Sequence, residues 1–159
     1  MKRLAILGAV TLAVAILSPA SVHAQSEMAL TAGGGGVFPP DAAYSGIPLN
    51  ALKFGIGITI DGGAAEGQFH TTLIGVSVLG LEQYIEVEGK ASAGSAASGD
   101  TVTFSGQCTI DMGDGIALPD VPFTVVVATN AEGTGRLTLT LGSTELPAVA
   151  VSEGSMTIK

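Results

Sequence analysis

Residues 100–112 read Asp-Thr-Val-Thr-Phe-Ser-Gly-Gln-Cys-Thr-Ile-Asp-Met, and this stretch decides the fold. Every second position from Val102 to Met112 is apolar except Gly106, and the positions between them are polar. Successive side chains of a β-strand point to opposite faces, so the alternation predicts a strand with one apolar face. Because Gly106 falls on that apolar face, we expect a bulge there or a close approach of another backbone.

The same alternation recurs on both sides of this stretch. The predicted strands cover residues 52–61, 68–79, 84–91, 100–112, 121–128, 136–141 and 156–158. The nearly continuous apolar run 121–128 predicts a strand covered on both faces or near the sheet centre, and the small residues 92–99 predict a loop. Short connections favour antiparallel neighbours. The sequence therefore predicts an all-β fold, an antiparallel meander that forms a sandwich or a small closed barrel.

The N-terminus has the three-part layout of a secretory signal peptide over residues 1–24. Lys2 and Arg3 precede an apolar run over residues 4–17, and small residues before Ala24 suit cleavage after it. The run is shorter than the roughly 20 residues of a membrane-spanning helix. We therefore expect an exported protein, periplasmic or extracellular, with no membrane span after signal cleavage.

Residues 25–45 lack this alternation. They contain Gly33-Gly34-Gly35-Gly36 and Pro39-Pro40, which are typical of a flexible linker with a locally stiffened part. The sequence therefore predicts a flexible N-terminal arm over residues 25–45, with one short strand near residues 28–31. A single β domain is expected over residues 46–159.

The charge balance excludes one class of partner. Removal of residues 1–24 leaves 135 residues with four Lys or Arg against fourteen Asp or Glu, a formal charge of −10. The four basic residues are scattered singly along the chain, whereas binding to nucleic acid depends on clustered Lys and Arg. We therefore expect no nucleic-acid partner.

Two residues could carry nucleophilic or acid–base chemistry. Cys108 is the only cysteine, so it forms no internal disulfide, and it shares the apolar parity of Phe104 and Ile110. A buried free cysteine behaves as a small hydrophobic residue. His70 is the only histidine after residue 24, and it lies on the polar face of its strand without a recognisable nucleophile motif beside it. The sequence therefore favours a core cysteine and a strand histidine, and predicts no catalytic residue.

Acidic residues supply a candidate metal site. Asp111, Asp114 and Asp120 form the densest acidic cluster, and Ca²⁺ takes several oxygen ligands. Their spacing lacks that of an EF-hand, and Asp-Gly is a common turn pair. Calcium at these three residues is nevertheless the one cofactor that the sequence suggests. Glu86 and Glu88 share one strand face, which is typical of a solvated surface rather than of a glycosidase pair.

A resemblance extends from Gly67 to Ile158. The residues that carry it are the strand segments and turn glycines Gly67-Gln68-Phe69-His70, Val102-Thr103-Phe104-Ser105-Gly106, Val121-Pro122-Phe123-Thr124-Val125, Gly133-Thr134-Gly135 and Gly154-Ser155-Met156-Thr157-Ile158. In these motifs the chain resembles a small all-β domain of exported bacterial proteins. That resemblance implies a β fold and no established activity, and it gives no catalytic residue.

These observations favour an exported, non-enzymatic β domain with a structural or partner-binding role in the envelope or outside the cell. Exposed sheet edges could add a strand from a partner protein. The alternative is a small barrel that carries an apolar ligand in its interior.

Overall fold

A computed structural model of the chain describes residues 27–98 and 100–159. The predicted signal peptide therefore lies outside the described residues. The described part of the chain contains ten β-strands and no helix. The strands are β1 (Met28–Val37), β2 (Ala43–Tyr44), β3 (Ile47–Asp61), β4 (Ala64–Val76), β5 (Glu82–Ser98), β6 (Thr101–Asp111), β7 (Ala117–Thr129), β8 (Gly135–Leu141), β9 (Thr144–Glu145) and β10 (Val149–Ile158).

The long strands close into a ring. From β3 to β8 each strand pairs antiparallel with the next, β8 pairs with β10, and β1 pairs with both β10 and β3. The short strands β2 and β9 pair with β3 and β8. The all-β prediction is confirmed, and hydrogen bonds join eight long antiparallel strands into a ring, as in a sandwich or a barrel-like meander. The β8–β10 pairing is short, because only Val149 and Ala150 of β10 lie opposite β8.

The prediction of a flexible arm over residues 25–45 is wrong from residue 28 onward. Residues 28–37 form β1, which completes the ring, and the four-glycine run lies within it. A Cβ on Gly34 or Gly36 would collide with backbone oxygens of β10, so glycine is what lets the two strands approach. After β1, Phe38 and Ala42 are buried, so the connection to β3 also packs on the core.

The loop predicted over residues 92–99 is also wrong as far as residue 98. β5 continues to Ser98 and pairs with β6 along this length, and its register shifts between Ala91 and Ala93. Gly106 lies opposite this irregularity, and a Cβ there would lie 1.9 Å from the Lys90 carbonyl oxygen. The close backbone approach predicted from the sequence at Gly106 is therefore confirmed.

The apolar faces of the strands fill the interior of the ring. The alternation predicted for β3, β6 and β8 is observed as alternating buried and more exposed residues. In the run 121–128 only every second residue is buried, so β7 is covered on its inner face alone. The buried polar residue Thr71 donates its hydroxyl to the carbonyl oxygen of Lys53 at 2.8 Å, which satisfies it inside the core.

Three phenylalanine rings pack together within the interior. The ring centroids of Phe69 and Phe123 are 5.5 Å apart in a stacked arrangement, and Phe104 meets both rings edge-on at 6.0 and 6.1 Å. Gly89 provides the space for this cluster, because a Cβ on Gly89 would lie 2.7 Å from the Phe123 ring. This part of the interior is therefore occupied by side chains of the protein.

The antiparallel order gives the ring two different ends. The connections over residues 38–46, 77–81, 112–116 and 142–143 lie at one end, because each follows a strand that runs in that direction. The connections over residues 62–63 and 130–134 lie at the other end, together with Met28, Asp100 and Lys159.

Candidate functional site

Exposed apolar side chains are concentrated at one end of the ring. The large hydrophobic residues that the structure leaves exposed are Val37, Val78, Leu79, Leu81, Tyr84, Ile116 and Leu118. All seven lie in, or within a few residues of, the connections over residues 38–46, 77–81 and 112–116. We call this surface the apolar end. Soluble proteins rarely expose grouped apolar side chains without a binding role, so the apolar end is the first candidate site.

The β4–β5 turn presents two of these side chains. Its ends are joined by a bond from the Ser77 amide to the Leu81 carbonyl at 2.8 Å, and the Leu81 amide donates to the Ser77 hydroxyl at 3.2 Å. Gly80 takes a φ of +75°, which glycine adopts without strain. The turn is therefore closed on itself, and it leaves Val78 100% and Leu79 81% exposed.

The β6–β7 turn presents Ile116 beside it. One carboxylate oxygen of Asp111 accepts a hydrogen bond from the Gly113 amide at 2.8 Å, and one of Asp114 accepts a hydrogen bond from the Ile116 amide at 2.9 Å. The Gln83 side chain donates to the Met112 carbonyl at 2.8 Å and ties this turn to β5. These bonds fix the turn without covering Ile116, which stays 66% exposed.

A groove of about 770 Å³ continues the apolar end across the β1–β3 connection. Val37, Pro39, Pro40 and Pro48 supply exposed apolar surface, and the groove is also lined by the buried Phe38. Prolines restrict the backbone, so this groove has a largely preformed shape. Such a groove suits the side chains of an extended or helical segment.

Acidic residues border the connections at the apolar end. Asp41, Glu82, Asp114 and Glu145 are exposed in or beside its connections. Among the four described basic residues, Lys90 stands midway along β5 and Lys159 is at the opposite end. Lys53 pairs with Gly35, two residues from Val37, and Arg136 pairs with Ala150, which also pairs with Val37. The turns that carry Val78, Leu79 and Ile116 are therefore bordered by Glu82 and Asp114, whereas the Val37 side has basic residues nearby.

A second, polar cleft of about 510 Å³ lies on the outer surface of β4, β5 and β6. His70 pairs with Glu88 across two neighbouring strands, and Lys90 stands two residues beyond Glu88. Asp120 lines the same cleft from an irregularity in β7, with a φ of +58° that is unusual for a residue with a side chain. The structure therefore brings together His70, Glu88 and Asp120, which are far apart in the sequence.

Cys108 also borders this cleft, but its side chain belongs to the core. Burial raises the pKa of the Cys108 thiol to about 11, which suppresses the thiolate form. Cys108 lies on the inner, buried face of β6, whereas His70 is exposed on the outer face of β4. Because the two side chains face opposite sides of the sheet, they do not form a nucleophile–base pair. The expectation of a buried cysteine is confirmed.

The predicted calcium ligands occupy two different places. Asp111 and Asp114 support the β6–β7 turn, whereas Asp120 lines the polar cleft. Within residues 27–98 and 100–159, no group of three or more His, Cys, Asp or Glu side chains is placed to hold a metal ion. Calcium binding stays a prediction. Its ligands would have to include the free carboxylate oxygens of the turn, completed by backbone oxygens or water.

Comparison with known proteins adds no relative. No family model, curated protein or solved structure matches the chain. The resemblance to exported bacterial β domains therefore stays a prediction. Among the described residues there is no helix with the length and apolar character that crossing a membrane would need.

Proposed function

We propose that this chain is an exported, non-enzymatic β domain that binds a partner macromolecule, in the envelope or outside the cell, through its apolar end. The observation that carries the proposal is the position of the exposed large hydrophobic side chains, all seven of which lie at one end of the ring. Scattered exposed hydrophobic residues need no explanation, but a grouped set marks an interaction surface.

The construction of the turns supports this role. Hydrogen bonds within the β4–β5 and β6–β7 turns hold Val78, Leu79 and Ile116 outward in the free protein. A surface that is already ordered loses little conformational entropy when a partner covers it. Binding at the apolar end is therefore favoured by both its composition and its rigidity.

The chemistry of the remaining candidates supports a non-enzymatic role. The raised pKa of the Cys108 thiol and its inward position oppose nucleophilic catalysis. The packed rings of Phe69, Phe104 and Phe123 occupy interior volume that a carrier would leave to its ligand. These contacts favour partner binding over the alternative of a barrel that carries a small apolar ligand.

Site-specific photo-crosslinking tests the proposal. The full chain is produced in the cells that naturally make it, with a benzophenone amino acid in place of Leu79 or, as a matched control, of the exposed Ala131 at the opposite end. We expect a crosslinked macromolecule from position 79 and none from position 131. Equal adducts from both positions, or none from position 79, would contradict the proposal. A small apolar molecule in solvent extracts of the purified protein would support the carrier instead.

A further inference from the structure

We infer that the partner is a polypeptide that presents an apolar segment flanked by Lys or Arg. This inference rests on the proposed function and adds the chemistry of the partner to it. It follows from the juxtaposition of the apolar groove and turns with a border of Asp41, Glu82, Asp114 and Glu145.

The acidic border selects for positive charge on the partner. Each of the four carboxylates is exposed, and Glu82 and Asp114 lie in or beside the turns that carry Val78, Leu79 and Ile116. Lys53 and Arg136 lie on the β1 side of the apolar end, near Val37. A partner without compensating charges would leave these carboxylates facing an apolar or negative surface. Complementary potentials steer association and exclude partners of the wrong sign.

A lipid surface fits this arrangement poorly. Insertion of Val78 and Leu79 into a bilayer would bring Glu82 and Asp114 to the level of the headgroups. Proteins that bind anionic membrane surfaces supply Lys or Arg beside their apolar residues. The apolar end has acidic residues in those positions, so it would be repelled.

A second copy of the chain is also disfavoured. A two-fold contact would place the same surface on both sides, so the border carboxylates of one copy would approach those of the other. Like charges that meet across an interface cost several kcal/mol. A basic polypeptide avoids this cost, because its Lys or Arg side chains can pair with the border while its apolar side chains enter the groove.

Selection from a random-peptide phage library provides an unbiased probe of this chemistry. The target is the whole chain from residue 25 onward. The double variant Val78→Ser/Leu79→Ser removes the most exposed apolar side chains of the apolar end. Ala131→Ser at the opposite end is the matched control. Glu82→Gln/Asp114→Asn removes two border charges, and the side-chain oxygen of the new amide can still accept the hydrogen bond from the Ile116 backbone amide. Zwitterionic and anionic phosphatidylglycerol-containing vesicles are tested in parallel.

We expect enriched peptides with Lys or Arg beside apolar residues. Their affinity should fall at least about tenfold with Val78→Ser/Leu79→Ser and with Glu82→Gln/Asp114→Asn, and stay unchanged with Ala131→Ser. Peptides that require Val78 and Leu79 but lack a basic excess would overturn the inference and leave the proposed function standing. Binding to vesicles without enrichment of peptides would overturn both, because a lipid surface is not a partner macromolecule. Failure to enrich any peptide that depends on the apolar end, together with no vesicle binding, would overturn both.

Discussion

Substitution of Gly106 by alanine tests the closed packing of the ring most severely. A Cβ at this position would lie 1.9 Å from the Lys90 carbonyl oxygen and 3.2 Å from the Ala91 Cα. Carbon and carbonyl oxygen normally stay about 3.3 Å apart, so β5 and β6 would have to separate by about 1.4 Å. The clash is with backbone atoms, which cannot rotate away as a side chain could.

The expected cost is large relative to the stability of a domain. Overpacking costs about 1–3 kcal/mol, and each ladder hydrogen bond weakened by strand separation adds about 1 kcal/mol. We therefore expect Gly106→Ala to lower the free energy of unfolding by about 3 kcal/mol, out of roughly 5–15 kcal/mol for a typical domain.

Gly57→Ala is the matched control. Gly57 lies on the outer face of β3, and a Cβ there would meet no atom within 4 Å. The substitution should leave stability unchanged or raise it by about 0.4–1 kcal/mol, because alanine restricts the unfolded chain. Urea unfolding followed by far-ultraviolet circular dichroism measures both variants. A loss of unfolding free energy below about 1 kcal/mol for Gly106→Ala, or equal losses for both variants, would refute the close pairing of β5 and β6 at Gly106.

Three further predictions concern the core and the acidic residues. Gly89→Ala should lower the free energy of unfolding by about 1–3 kcal/mol, and Phe123→Leu should relieve part of this loss. A double-mutant cycle measured by urea unfolding should therefore give a coupling energy of at least about 0.5 kcal/mol. Strictly additive losses would contradict the contact between position 89 and the Phe123 ring. The raised pKa of the Cys108 thiol predicts a contribution to stability that is full below pH 9 and is lost as the pH rises towards about 11, because the thiol ionises first in the unfolded chain. Cys108→Ala should reduce this fall of the free energy of unfolding with pH. An unchanged fall would show that the thiol is not its source. If Asp111, Asp114 and Asp120 bind calcium, added Ca²⁺ should raise the Tm and a chelator should lower it, whereas an unmoved Tm would exclude the site.

The strands with alternating side chains could be predicted from the sequence. In β3, β6 and β8 the apolar residues repeat every second position, and this local pattern reports which face is buried. Even the close approach at Gly106 was predictable, because a glycine interrupted an otherwise regular apolar face. Sequence patterns of this kind reflect neighbours within one strand.

The closure of the ring could not be predicted in this way. Gly33 to Gly36 have no side chains to alternate, so nothing local marks them as part of a strand, and their place is set by pairing with β10 and β3. The second half of β5 consists of small residues without an apolar alternation, so its pairing with β6 could not be predicted either. Glycine-rich strands specify register weakly by themselves, and distant partners decide it.

The apolar end was missed for a different reason. Val78 and Leu79 come directly after the apolar residues of β4, so the sequence predicts that the strand continues to residue 79. In the structure β4 ends at Val76, and the turn closed by Ser77 and Leu81 turns both side chains outward. Only the antiparallel order of the strands then shows that these residues share an end with Ile116.

Methyl and backbone-amide NMR spectra of the protein, recorded with and without a library-selected peptide, test binding at the apolar end most directly. We predict shifts for the methyl groups of Val78, Leu79 and Ile116, with those of Leu137 and Met156 in the core unmoved. Shifts confined to backbone amides around His70 and Glu88 in the polar cleft, with the apolar-end methyl groups unchanged, would contradict this assignment.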